Sequence, residues 1–232
     1  MPGKVVCRDE WLAARKELLD KEKAAVRAAA AFKEQLRNDF PMVKLDKAYT
    51  FEDPKGKYTL AGLFQGRKQL IVYHFMLGPD DEAGCSGCSF LTDNLPSSLT
   101  HLYAADTTFV LVSRAPVAKI EQYKKRMGWD FPWYSSFGTE FNWDFNVSLD
   151  KDVKSPVVYN YKEMEKPFKG ELPGLSVFYK EGNDLFHTYS TYARGLDGLL
   201  VTNQLLDLTP LGRQDVPWKR HDEYDSKDLK AN

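Results

Sequence analysis

From Asp9 to about Asn38 the apolar positions recur with a helical period. Trp11, Leu18, Ala25 and Phe32 stand seven apart, Leu12, Leu19 and Val26 form an adjacent row, and Lys, Arg and Glu fill the other faces. That spacing predicts one long amphipathic helix. Asp9 is a better cap for its start than Cys7, because a thiol is a poor acceptor, and Pro41 stops the pattern. At about 1.5 Å per residue the helix is roughly 45 Å long, more than a small domain is wide. Two packings remain open: strapped across its own domain, or serving as the arm of a homodimer.

Beyond Pro41 the period shortens. Tyr49 to Phe51, the turn Asp53-Pro54-Lys55-Gly56 and Lys57 to Leu60 read as a hairpin, with a helical turn over Leu60 to Phe64. Leu70 to Met76 and Thr107 to Ser113 are near-continuous apolar runs of strand length, the pattern of parallel strands buried on both faces. Between them, Cys85 to about Leu102 is patterned as a helix. Pro116 opens another, with Ala118, Ile120, Tyr123 and Met127 on one face. This β-α-β-α order calls for a sheet covered by helices. Residues 128–154 form an aromatic-rich loop layer with one short strand at Trp133 to Ser135. Leu175 to Lys180 and Leu185 to Ser190 make a hairpin around Glu181-Gly182-Asn183-Asp184, and Leu196 to Leu206 closes the domain as a helix. From Arg213 the tail is charged and irregular, with Trp218 as its anchor. The expected division is a helical arm over 1–39, a domain over 40–208 and a tail over 209–232.

Composition narrows the function classes. Of 232 residues, 32 are basic and 33 acidic, giving a net charge of −1, so neither nucleic acid nor a membrane surface is an expected partner. The charges interleaved with the aromatic layer are mostly acidic, which also argues against single-stranded nucleic acid. Apolar runs are too short to span a bilayer, and the N-terminus has no apolar core of a secretory signal. Three cysteines are too few for an extracellular disulfide scaffold. A soluble, cytoplasmic chain in a reducing compartment is the expectation.

The chemistry concentrates in Cys85-Ser86-Gly87-Cys88, placed after a buried strand and at the start of a helix. Across one helical turn the two sulfurs come within disulfide reach. Free N–H groups and the positive end of the helix dipole favour thiolate at the first cysteine. Cys85 is then the nucleophile and Cys88 the resolving thiol. A structural zinc site needs four ligands; Cys7 is remote and His74, His101, His187 and His221 lack ligand spacing. Zinc and a chance pairing of inert cysteines stand as the weaker alternatives to dithiol redox chemistry.

The chain resembles the DUF899 family of thioredoxin-like bacterial proteins described as dithiol–disulfide oxidoreductases. The resemblance is carried by Leu70 to Met76, Cys85 to Phe90 with Asp93-Asn94, Phe109 to Pro116, Lys124 to Trp129, Pro173 to Tyr179, Phe186 to Leu196 and the Asp9-Glu10-Trp11 helix start. It implies an α/β thioredoxin-like fold of the peroxiredoxin branch, with an extra N-terminal hairpin and a central sheet flanked by helices. It further implies that Pro173, ahead of the C-terminal hairpin, has a cis peptide bond and faces the cysteines, with a plain turn residue as the alternative. Gly84, Ser86, Gly87 and Pro173 then make up the surface a substrate touches.

Departures from the fold's usual pattern are informative. Gly84 stands where thioredoxins carry an aromatic residue, and Tyr73 and His74 where they bury a carboxylate. Ala83 and Gly84 lack the hydroxyl that follows the proline, here Pro79, in peroxiredoxins. His74 is considered as proton acceptor for Cys88 or as a core residue, and Arg114 and His187 as residues lining the redox face. The expected activity is thiol–disulfide exchange without an organic cofactor or metal, on a protein or small-molecule substrate, reset by an external thiol reductant. A non-catalytic binding or assembly module and a thiol peroxidase are the competing functions.

Overall fold

The computed structural model describes residues 3–166 and 168–229. Helix α1 spans Arg8–Asn38; the strands β1 (Val43–Lys44), β2 (Thr50–Asp53) and β3 (Gly56–Thr59) follow, then α2 (Leu60–Leu63) and β4 (Gln69–His74). Next come α3 (Ser86–Asp93), α4 (Thr100–Ala104), β5 (Thr107–Ser113), α5 (Val117–Met127), β6 (Trp133–Ser135), α6 (Phe141–Asp144) and β7 (Ser148–Leu149). The chain continues through β8 (Val158–Tyr159), β9 (Lys162–Glu163), β10 (Gly170–Glu171), β11 (Gly174–Glu181) and β12 (Asp184–Tyr192) to α7 (Val201–Asp207).

Eight strands form the main sheet in the order β1-β12-β11-β4-β5-β6-β2-β3. Strands β4, β5 and β6 are parallel, β11 is antiparallel to β4, and β12 to β11. The order β12-β11-β4-β5, with a cysteine-bearing helix leaving β4, is the thioredoxin-like arrangement. The β2–β3 hairpin beside β6 is the extra N-terminal element of the peroxiredoxin branch. Its turn is closed by Asp53, whose Oδ1 accepts from the N–H groups of Lys55 at 2.7 Å and Gly56 at 3.2 Å.

Alternation along the central strands divides the interior into two layers. Tyr73, Phe109 and Leu111 pack beneath α3 and α5 with Phe75, Cys88, Leu91, Ile120, Tyr123 and Met127. Leu70, Val72, Val110 and Val112 face the other way, onto Phe51, Leu63, Phe64, Phe141, Phe145 and Phe178. Because both layers are apolar, every residue of β5 is buried, which explains its unbroken hydrophobic run.

Three expectations are corrected. The stretch from Cys85 to Leu102 is two helices, because Pro96 cannot donate an N–H and Asn94 ends α3, its Nδ2 donating to Phe90 O at 2.7 Å. The cap of α1 is Cys7 instead of Asp9: Glu10 reaches back to accept from the Cys7 N–H at 3.2 Å. The closing helix begins as a 3₁₀ turn over Ala193–Leu199 before α7.

The arm also departs from the strapped packing. Among the described residues nothing buries a side chain of α1; Trp11, Leu18 and Phe32 are 46%, 51% and 55% exposed. Its stripe is thin, with Ala25 on it and long charged side chains beside it, and both faces of the sheet already have their cover. No helix among the described residues is long and apolar enough to cross a membrane.

Candidate functional site

Strand β4 delivers the chain to Met76, and the loop 77–84 returns it to the start of α3. Met76 binds both cysteines: its carbonyl accepts from the Cys85 N–H at 3.1 Å, and its N–H donates to Cys88 Sγ at 3.4 Å. Cys85 caps α3 in extended backbone conformation, φ −56° and ψ 134°. Both thiols are free, Cys85 half-buried and Cys88 buried.

The two sulfurs have opposite acidities. Cys85 is lowered to about 6. The hydrogen bond from the Cys88 thiol is the largest cause, followed by the backbone N–H groups of Cys88 and Gly87 and by the cationic Arg220, all working against partial burial. Cys88 is pushed well up, first by complete burial and then by Cys85 itself, while a hydrogen bond from Tyr73 and the Met76 N–H oppose the shift. The helix start thus holds an acidic outer thiol over a neutral inner one.

Close packing sets the residue ahead of Cys85. A Cβ on Gly84 would stand 2.6 Å from Tyr123 Cε1 and 2.7 Å from Phe75 Cε1, both in buried rings. That approach excludes the aromatic residue thioredoxins place here, and Gly84 itself is buried instead of lining the mouth. Of the other expected contact residues, Ser86 is half-buried and Gly87 exposed at the tip of the turn.

Pro173 is a correction in geometry. The cis peptide among the described residues is Ser155–Pro156; Leu172–Pro173 is trans. Its carbonyl accepts from the Tyr159 hydroxyl at 2.7 Å, which also accepts from the Ala193 N–H at 3.1 Å. Burial raises Tyr159 to about 12.

His74 does not serve Cys88. In a strand its side chain points opposite to that of Tyr73; it packs against Phe141 and Phe145 with Nε2 2.8 Å from Ser176 Oγ. Burial and the nearby His187 lower it to about 3, a neutral core histidine. His187 lies on that same far layer, against Phe145 and Phe178. Arg114 turns away to Glu171, Nε to Oε1 2.8 Å, with its guanidinium 4.7 Å from the Trp143 ring. Tyr73, whose hydroxyl meets Cys88, takes the place that the fold's carboxylate would have.

Sequence reading missed the opposite wall. The Arg220 Nε donates to Gly84 O at 2.8 Å and to the Tyr123 hydroxyl at 3.1 Å. Tyr123 in turn lies 2.8 Å from Ser89 Oγ, which donates to Cys85 O at 2.8 Å. Only Trp218, two residues earlier, signalled that the tail docks; it stacks on Phe90 with centroids 4.3 Å apart and planes at 7°. Among the described residues no group of three or more His, Cys, Asp or Glu side chains is gathered to hold a metal.

Residues 2–224 match the family described as bacterial protein of unknown function, DUF899. The chain belongs to the DUF899 family. No curated protein matches it. Among solved structures, this DUF899 member is similar to a mutant peroxiredoxin Q of Xanthomonas campestris, with 16% identity, TM-score 0.43, and 69% of this chain and 91% of that one covered. It is also similar to a cysteine-to-serine mutant of the Xylella fastidiosa peroxiredoxin Q (12%, TM-score 0.44, 72% and 96%). A third similar structure is the mitochondrial 2-Cys peroxiredoxin of Plasmodium falciparum (12%, TM-score 0.43, 72% and 92%). The strand order, not these scores, carries the fold assignment.

Proposed function

We propose that this DUF899 protein is a thiol–disulfide oxidoreductase with Cys85 as nucleophile and Cys88 as resolving thiol. The observation that carries the reading is the placement of the pair: half-buried Cys85 caps α3, and buried Cys88, one turn on, shares Met76 with it as backbone partner. This setting lowers Cys85 to about 6 and raises Cys88. The thiolate attacks one sulfur of a substrate disulfide, forming a mixed disulfide with Cys85 and expelling the other half as thiolate. Cys88 then gives up its proton, and its sulfur attacks Cys85 Sγ, releasing the second half of the substrate. The substrate gains two electrons and two protons as two thiols, and the protein keeps a Cys85–Cys88 disulfide. An external dithiol returns the pair to its reduced state, and no organic cofactor enters.

The test is the rate of iodoacetamide alkylation against pH in the Cys7→Ser background, so that the exposed Cys7 does not report. A midpoint near 6 that disappears in Cys85→Ser is expected; a midpoint near the free-cysteine value of about 8.5 overturns the assignment. In Cys88→Ser the mixed disulfide with a small aromatic disulfide should persist, since nothing resolves it. Its failure to accumulate would likewise count against the mechanism.

A further inference from the structure

Six residues, 218–223, lie across the dithiol helix and hold on at two helices, α3 and α5. The Trp218 ring stacks on Phe90 of α3. His221 Nδ1 is 2.8 Å from Asp93 Oδ1, at the last residue of the same helix. Asp222 and Glu223 grip Arg126 of α5 at 2.7 and 2.8 Å. Between these anchors Arg220 extends inward to the carbonyl of Gly84 and the Tyr123 hydroxyl, and its Nη1 is paired with Glu223 at 2.7 Å. Exposed ion pairs alone contribute little. The seat of this segment therefore rests on the Trp218 stack and on the inward hydrogen bonds of Arg220.

Those hydrogen bonds form a directed chain. Arg220 donates to Tyr123, Tyr123 to Ser89, and Ser89 to the Cys85 carbonyl, with Tyr123 and Ser89 both buried. A second branch from Arg220 fixes the carbonyl of Gly84, immediately before the nucleophile. We propose that the C-terminal segment is a strap belonging to the dithiol site, and that Arg220 is its positioning residue. It holds the backbone on either side of Cys85 and sets a permanent cation beside the thiol. The proposal rests on the oxidoreductase reading above and adds to it a residue that is remote in sequence from the cysteines.

The charged and titratable groups around Cys85 come from each neighbouring element: Cys88 on α3, Tyr73 on β4, Tyr123 on α5 and Arg220 on the strap. Of these, Arg220 is the one fixed positive charge, so its removal disfavours the thiolate. The experiment repeats the alkylation profile in the Cys7→Ser background with Arg220→Met, Arg220→Lys and Trp218→Ala. In Arg220→Met the midpoint should rise by a fraction of a pH unit, which lowers the alkylation rate below the midpoint about two- to threefold. Arg220→Lys keeps the charge without the fork and should recover part of that loss. Trp218→Ala loosens the strap with Arg220 intact and should shift the midpoint in the same direction by less. A low wild-type midpoint left unmoved in a folded Arg220→Met protein overturns the strap proposal alone. Should Arg220→Met not fold, Arg220→Lys and Trp218→Ala both keeping the wild-type midpoint overturns it equally. A wild-type midpoint near 8.5 overturns the oxidoreductase reading and this proposal together.

Discussion

Tyr73 and His74 are neighbours in one strand, both buried and both titratable, yet they belong to different chemistries. Tyr73 faces the layer under α3 and α5, where its hydroxyl meets Cys88. His74 faces the phenylalanine layer, where a string of hydrogen bonds crosses three strands: His74 Nε2 to Ser176 Oγ, Ser176 to Ser190 at 2.8 Å, and Ser190 to His187 Nε2 at 2.7 Å. The first layer opens to solvent at Cys85 and is bounded by a cation; the second is closed, and its His74 Nδ1 has no partner among the described residues. The contrast shows what burial does in each setting. At Cys85 the Cys88 thiol, the backbone N–H donors and Arg220 together outweigh burial and stabilise an anion. Around His74 nothing compensates for burial, and the side chain stays neutral.

The largest effect expected from this difference is on acid stability. His74 is lowered from 6.5 to about 3 in the folded protein. The folded state therefore binds fewer protons than the unfolded chain between those pH values, and stability falls as pH drops through the window. Fully developed, the loss from this one group is roughly 4–5 kcal/mol. Denaturant unfolding of His74→Leu and wild type across pH 7 to 3 should show the wild type losing stability relative to the variant by several kcal/mol. Parallel curves would mean that His74 is protonated or solvated, and the closed-layer description would not stand. The alkylation midpoint of Cys85 should be the same in both proteins, because the two layers are separated by the sheet.

Next in size is the packing ahead of Cys85. Gly84→Ala forces a methyl group against the rings of Tyr123 and Phe75, neither of which has room to withdraw. Overpacking of this kind costs about 1–3 kcal/mol. The same change pushes on Tyr123, so it should also disturb the hydrogen bonds to Ser89 and Arg220. The outcome is read as a lower denaturant midpoint together with a raised Cys85 midpoint. A neutral Gly84→Ala would show that an aromatic residue could be accommodated there, as it is in thioredoxins.

Much of the first layer was legible in the residues. The two apolar runs announced β4 and β5, the Pro116 start and apolar face announced α5, and the cysteine spacing after a buried strand announced the helix start. The sides of Tyr73 and His74 were harder, because a strand buried on both faces is apolar at every position and its alternation carries no label. Period-two counting places them on opposite faces, but only the position of α3 says which one meets the thiol. Gly84 is required by atoms contributed from β4's end and α5, which no local pattern displays. Arg220 was illegible for a different reason: one arginine in a charged tail looks like the rest until the Trp218 stack brings it to the cysteines.

The smallest effect discriminates most finely between the layers. Tyr73→Phe keeps the ring and removes the hydroxyl that faces Cys88. That hydrogen bond favours the Cys88 thiolate, so its loss leaves Cys88 still harder to ionise. A net contribution of about 1 kcal/mol corresponds to roughly a fivefold slower closure of the internal disulfide. The rate is measured at pH 7 by first forming the mixed disulfide of Cys85 with dipyridyl disulfide and then following release of the second pyridinethione. Alkylation of Cys85 should change little, since Tyr73 acts on the inner sulfur, and His74→Leu should leave the closure rate at the wild-type value. If Tyr73→Phe closes as fast as wild type, the phenol only fills space beneath the pair, and Cys88 loses its proton without help from the strand below it.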